Sequence, residues 1–231
     1  MMARAFAGLS LAFVVPSFIA QAQTGPDQYL LIRLLADGRA YEYSVDLENV
    51  RAVLRASCED SGACPFYAGA DKDPDILAGK EGESFVRSQL KVPYSSRVSL
   101  DSTRTSALVA EADPGRDKYK FEIFKLPSGT QERSGTTARR IADAEWVGTK
   151  GCFALLTSTY SLGFMPWHWP AILAGHPPQY NTYYLELYAP DASLIAETVV
   201  HEKLKYSGGG LIRRRGFEAT TNNAPALRPP C

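Results

Sequence analysis

The sequence predicts a mostly β protein built from antiparallel sheets, with one or two short helices. Nine short segments are rich in β-branched and aromatic residues, and Gly, Pro, Asp or Ser separates each from the next, a pattern typical of strands joined by turns. Apolar residues at helical spacing form few runs of any length. The predicted strands are residues 30–35, 41–45, 97–100, 106–111, 119–126, 145–147, 153–160, 182–188 and 194–200.

The first 22 residues have the layout of a secretory signal peptide. Arg4 is their only charged residue, an apolar run covers residues 5–20, and Ala20-Gln21-Ala22 supplies the small residues of a cleavage site. The run is shorter than the ~20 residues that a membrane-spanning helix needs, and Pro16 interrupts it. We therefore expect cleavage after Ala22 and a periplasmic or secreted protein without a transmembrane segment in the mature chain.

The remaining chain is nearly neutral. Removing 22 residues from 231 leaves 209, a length that suits one β-rich domain or two small ones. Because only Arg4 is lost, 24 basic and 25 acidic residues remain, a net charge of −1. Such a surface has no long-range attraction for a polyanion, so we expect no nucleic acid among the partners.

Four cysteines follow the predicted signal peptide, and an oxidising compartment favours their pairing in disulfides. Four cysteines allow three pairings. A short flexible segment keeps Cys58 and Cys64 close, so we predict that they pair with each other, which leaves Cys152 for Cys231. A redox-active pair would show a CxxC motif beside a βαβ pattern, and the sequence has neither.

Residues 23–96 are predicted to form an N-terminal hairpin followed by the disulfide-bearing segment. Two stretches within this region favour helices. Residues 46–56 place Leu47, Val50, Val53 and Leu54 at helical intervals, with Asp46 as a candidate N-cap. Residues 73–77 and 84–88 indicate a further turn or two.

A faint repeat along the chain makes residues 97–231 a blade-like β-sheet region. Three stretches alternate apolar and other residues and then reach a Gly or Ser at a fixed distance, and residues 102–110 match 148–156 as a small polar turn before an apolar strand. This order resembles the blades of a β-propeller, with a period of roughly 40–50 residues; an antiparallel sandwich or meander is the alternative. The matched positions are Leu30, Ile32, Gly38; Phe121, Ile123, Gly129; Leu185, Leu187, Ser193.

The repeat makes residues 161–181 an insertion. Where the earlier unit has a short turn at 113–117, this unit adds a stretch without a charged residue. Inserted loops project from one end of a β scaffold and often carry binding function, and large aromatic side chains are common at interface hot spots. We predict contact residues in the segment 164–180, with Ile172 and Leu173 capping the core instead. The predicted contact residues are Phe164, Met165, Trp167, His168, Trp169 and Tyr180.

No catalytic signature accompanies this loop. The sequence lacks GxSxG, HExxH and a phosphate-binding loop, and the glycines of Ser207-Gly-Gly-Gly-Leu resemble a flexible turn. A hydrolase would have to use His168 or His201 in a triad assembled by the fold. Met165, His168 and His176 are of the types that bind copper or zinc, although their spacing does not favour convergence on one ion.

We therefore expect an exported, non-catalytic binding or inhibitory protein that recognises a protein partner through residues 164–180 and needs no cofactor. A guard against a secreted toxin is one concrete form of such a role. An exported hydrolase using His168 or His201 is the first alternative, and a periplasmic copper- or zinc-binding protein is the second.

Overall fold

Three four-stranded antiparallel sheets make up most of the described chain. The computed structural model describes residues 28–47, 49–59, 64, 74–111, 118–147, 151–163, 166–205 and 207–215. This confirms the predicted fold class of antiparallel sheets with few helices. Backbone ladders join the described strands only within each sheet, so these strands close neither a barrel nor a propeller ring.

The first sheet has the order β12-β1-β2-β3, so a strand from residues beyond 207 completes it. β12 pairs with β1 from Gln28 opposite Arg215 to Leu35 opposite Gly208. A two-residue turn at Asp37 and Gly38, both with positive φ, joins β1 to β2, as the twist of a tight hairpin requires. The strands are β1 (Gln28–Ala36), β2 (Arg39–Asp46), β3 (Arg51–Glu59) and β12 (Gly208–Arg215).

The helix predicted over residues 46–56 is wrong, because this stretch contains the strand β3. Val50 has a φ of 46°, and the side chain of Asp46 accepts the N–H of Asn49, so the chain turns here instead of starting a helix. β3 then pairs with β2 along its full length. A helical spacing of four apolar residues was too short a pattern to compete with this pairing.

The second and third sheets follow chain order, β4-β5-β6-β7 and β11-β10-β9-β8. In the sequence repeat, residues 102–110 match residues 148–156, and these stretches lead into β5 and β9, each the second strand of its sheet. The stretch at Leu30 does not fit the same scheme, because it lies on β1 whereas the stretches that it matches lie on the third strands, β6 and β10. The strands are β4 (Arg97–Leu100), β5 (Ser106–Ala110), β6 (Tyr119–Lys125), β7 (Thr130–Thr137), β8 (Arg140–Val147), β9 (Cys152–Leu162), β10 (Gln179–Tyr188) and β11 (Leu194–Lys205).

The third sheet lies between the other two. On β9, Phe153 and Leu155 belong to the core shared with the second sheet, while Ala154 and Leu156 belong to the core shared with the first. Successive residues of a strand point to opposite faces, and both faces of β9 are covered. This explains why the first half of the strand, residues 152–156, is an unbroken apolar run instead of an alternating one.

A helix packs beside these layers. α1 (Pro74–Leu90) is longer than the turn or two that the sequence predicted. Its inner face repeats every four residues through Gly82, Val86 and Leu90. Val86 is fully buried, and a Cβ on Gly82 would lie 2.2 Å from Leu100 Cδ1, so the glycine permits close contact with β4. No helix of the described residues is long and apolar enough to span a membrane.

The glycine run 208–210 is a strand and not the flexible turn that the sequence favoured. β12 is the edge of the first sheet and runs beside β8, the edge of the third. A Cβ on Gly209 would lie 2.5 Å from Leu34 Cδ2 and 3.3 Å from the carbonyl oxygen of Arg33. Small residues are therefore required where this strand enters the core.

Replacing Gly209 with Ala should lower the free energy of unfolding by about 1–2 kcal/mol, because a methyl group must be inserted into a packed core. Gly208→Ala is the matched control, since a Cβ at Gly208 meets nothing within 4 Å. Urea unfolding of both variants tests this. Equal midpoints for the two variants would show that the glycine run serves no packing purpose.

The Cys58–Cys64 disulfide is confirmed, with 5.9 Å between the two Cα atoms. It ties the end of β3 to the segment that follows. Cys152, at the start of β9, is fully buried and is also disulfide-bonded. Its predicted partner, Cys231, and the predicted signal peptide lie outside the described residues.

Candidate functional site

The predicted insertion forms the tip of the β9–β10 hairpin. The two strands stay paired as far as Leu162 opposite Gln179, and the N–H of Gly163 donates to the carbonyl of Pro178 at 2.8 Å. Both strands extend further than the sequence indicated. The candidate site is therefore the segment 163–178, which is held at its two ends by a regular ladder.

Residues 166–173 of this segment are helical despite its prolines. A 3₁₀ turn (Pro166–His168) leads directly into a short helix, α2 (Trp169–Leu173). Pro170 lies in the first turn of α2, where a residue without an N–H removes no intrahelical hydrogen bond. Gly175, with a φ of +78°, ends the helix.

His168 and Tyr180 brace the base of the segment. Their ring centroids are 6.1 Å apart, and His168 Nε2 lies 3.4 Å from Tyr180 Oη. A Cβ on Gly163 would lie 2.6 Å from His168 Nδ1 and 2.8 Å from Tyr180 Cε2, so a glycine is needed beneath the two rings. Both residues were predicted as contact residues; here they hold the segment against its own hairpin.

Trp167, Trp169 and Leu173 are exposed, although the ring of Trp167 also meets that of His168 edge-on, with 5.9 Å between the centroids. Their exposed fractions are 71 %, 59 % and 80 %. Leu173 was expected to cap the core, and that expectation is wrong; Ile172 is partly buried. We call the three exposed residues the tryptophan face. Phe164 and Met165 lie outside the described residues.

Tyr160 is an exposed aromatic that the sequence interpretation treated only as the end of a strand. It lies on β9 opposite Asn181 and is 56 % exposed. Its position just before the insertion was the available signal. With Tyr160, the hairpin presents exposed aromatic surface on the strand as well as on the inserted segment.

His201, the other candidate catalytic histidine, lies on β11, and its Nδ1 shares a hydrogen bond with Tyr43 Oη on β2. Burial lowers the pKa of His201. Burial and the neighbouring Tyr41 raise the pKa of Tyr43 to about 12. Neither His168 nor His201 has a serine or a carboxylate among its hydrogen-bond partners in the described ranges. Among the described residues, neither ring is therefore hydrogen-bonded to a nucleophile that it could activate as a base.

The histidines do not gather with other metal-binding side chains either. His176 is exposed beyond the end of α2, and its backbone N–H donates to the carbonyl of Ala171. Among the residues that the structure describes, no group of three or more His, Cys, Asp or Glu side chains could hold a metal ion.

Sequence reasoning missed a buried carboxylate, Glu186 on β10, which is 2 % exposed. Arg139, in the turn before β8, contacts the Glu186 carboxylate. Its guanidinium also binds Glu197 and lies 4.0 Å from the ring centroid of Tyr184. Glu186 was hidden inside an apolar strand, with no motif around it. Its donors are Thr137 Oγ1 (3.2 Å), Arg139 Nη1 (2.9 Å), Thr157 Oγ1 (2.8 Å) and Tyr188 Oη (2.8 Å).

This carboxylate has the properties of a structural group. Each carboxylate oxygen accepts at least one hydrogen bond, and the donors come from the second and third sheets. Burial and the bond to Glu186 raise the pKa of Tyr188 well above its usual value, so the phenol stays a donor. A fully satisfied network of this kind holds strands together and leaves no site for a ligand.

The comparisons with known proteins do not add a family to this geometry: no protein-family model matches the chain, and no curated protein is similar to it.

Proposed function

We propose that this protein is an exported, non-catalytic binding or inhibitory protein that recognises a protein partner through the tip of its β9–β10 hairpin. The observation that carries the proposal is the tryptophan face, in which Trp167, Trp169 and Leu173 are more than half exposed on a segment whose base is fixed. The signal-peptide layout of residues 1–22 supports export.

Physical chemistry favours a protein partner for such a face. Trp side chains bury a large area while losing little rotamer freedom, and they are frequent among the residues that dominate binding energy. The bracing of the segment by His168 and Tyr180 lowers the entropy that binding must overcome, because the backbone is already ordered. A guard that blocks a secreted toxin needs only this combination of a stable scaffold and one projecting segment.

The absence of charge in the segment limits how the partner is recognised. No Asp, Glu, Lys or Arg occurs in residues 161–184, so steering by charge contributes little there. We expect a binding surface that is apolar at its centre and a salt dependence that is weak.

The double replacement of Trp167 and Trp169 with Ala should weaken binding by at least about 100-fold, since two hot-spot residues are lost together. Proteins retained from the cell envelope by the wild type identify the partner, and titration calorimetry with the purified partner gives the dissociation constants. Tyr94→Ala is the control, because Tyr94 is a 95 % exposed aromatic residue outside the hairpin.

The wild type and Tyr94→Ala should bind equally, and all three proteins should unfold at the same temperature. A double variant that binds as tightly as the wild type, with its fold intact, would contradict the proposal.

A further inference from the structure

Two polar contacts between described residues of the first and third sheets each involve a titratable group. Asp143 on β8 accepts the N–H of Leu211 on β12, with 2.8 Å between Oδ2 and N. His201 Nδ1 on β11 shares a hydrogen bond with Tyr43 Oη on β2. Tyr43 belongs to the apolar core that the two sheets share, and Leu211 does as well. A proton gained by Asp143 or His201 is therefore gained at the junction.

The surroundings of Asp143 favour its neutral form. Burial of the carboxylate outweighs its hydrogen bonds to the N–H groups of Leu211 and Ala144 and raises its pKa to about 6. Glu145 on the same strand acts in the same direction, and Arg97 on β4 opposes it. Gly210 allows this approach, since a Cβ there would lie 3.0 Å from Oδ2. Burial is thus the main influence, and the nearby charges partly cancel.

The surroundings of His201 disfavour its charged form. From β2, Tyr41 and Tyr43 face the ring, with centroid separations of 5.1 and 6.1 Å. Tyr183 of β10 is its cross-strand partner. β3 also packs against β11. Its residues opposite the two tyrosines of β2 are uncharged, namely Ser57 and Leu54. The charged neighbours along β11 itself are the exposed Glu202 and Lys203. Burial alone lowers the pKa of His201.

We propose that this junction is a paired proton device, in which Asp143 and His201 respond to mild acid in opposite senses, so that the docking of the two sheets depends less on pH than either group alone would make it. Asp143 is costly as a buried anion, and protonation removes that cost. His201 is a good acceptor when neutral, and protonation places a cation in a partly buried site. An exported protein meets the pH of its surroundings directly, so the inference extends the proposed function without depending on the partner.

The signs follow from linkage. The folded pKa of Asp143 is above its ordinary value of 3.8, so the folded state gains stability as pH falls through about 6 toward 4. The folded pKa of His201 is below its ordinary value of 6.5, so the folded state loses stability as pH falls below that value. Between pH 7.5 and 5.0, Asp143 alone should favour folding by about tenfold in the unfolding equilibrium constant.

The test compares the unfolding equilibrium constants at pH 7.5 and 5.0 for the wild type, Asp143→Asn and His201→Asn. Asn keeps an acceptor oxygen in each place and does not titrate. On acidification, Asp143→Asn should lose about tenfold in stability relative to the wild type, whereas His201→Asn should gain relative to it. His176→Asn, at an exposed histidine outside the junction, is the control and should follow the wild type.

If either junction variant shows the pH dependence of the wild type, the proposal is overturned. If a variant fails to fold, a direct measurement on the wild type takes its place. The carboxyl carbon resonance of Asp143 should titrate with a midpoint near 6, and a midpoint near 4 would overturn the proposal equally.

Discussion

Replacing Glu186 with Gln should lower the free energy of unfolding by about 3 kcal/mol. The carboxylate accepts hydrogen bonds from four side chains on the second and third sheets and in the turn between them. Gln offers one oxygen and one NH₂ group, so at least one donor meets another donor inside the core. Removing one member of a buried ion pair costs about 3–5 kcal/mol, and we expect the lower end because Arg139 keeps Glu197.

The matched control is Glu197→Gln, which removes the other carboxylate that the same arginine binds. Its side chain is 46 % exposed. Exposed ion pairs contribute less than about 1 kcal/mol, so this variant should unfold close to the wild type. Chemical denaturation of both variants measures the difference, and similar midpoints would mean that Glu186 does not hold the two sheets together.

Phe153→Ala should cost about 3–5 kcal/mol, the range for removing a large buried aromatic side chain. Phe153 is fully buried on β9 and packs among the three rings of the core between the second and third sheets. It stacks on Tyr188 with centroids 5.2 Å apart and meets Phe121 and Trp146 edge-on at 5.3 and 5.8 Å. The alanine leaves a cavity that these rigid rings cannot fill.

Phe85→Ala provides the comparison for this variant, because Phe85 is a half-exposed aromatic on the outer side of α1. Its loss should change the unfolding free energy by less than about 1 kcal/mol. Thermal unfolding of Phe153→Ala at or near the wild-type temperature would indicate that the two sheets are not joined through this ring cluster.

The sequence predicted most strands of the second and third sheets, because turn residues bound short apolar segments there. It missed β7, whose residues are almost all polar, and found only the end of β8. It did not predict β3, whose apolar residues fit a helix and a strand equally. The sequence did not predict the pairing of β12 with β1 either, because nothing local in Gly208-Gly-Gly indicates a partner at residue 34 or 35. Pairing across such a distance depends on tertiary packing.

The insertion was predictable because one repeat unit is longer than the other, and its tryptophans were recognisable by residue type. Which of its residues would be exposed and which would brace the base was not predictable. His168 and Trp169 are adjacent in sequence, yet one braces the base and the other is exposed. Only the helical path of residues 166–173 separates their directions. The carboxylates of Asp143 and Glu186 carry no sequence signal, because their partners are distant in the chain.

The pairing of β12 with β1 has a consequence for how the chain acquires its fold. Until residue 215 has been synthesised, one side of β1 has no partner, and the backbone N–H and C=O groups along that side are open to other strands. Closing a loop between residues 28 and 215 is a slow, non-local event compared with forming the hairpins of the second and third sheets. The first sheet is therefore the last to be completed, and the interval before β12 arrives is when the chain is most prone to aggregate.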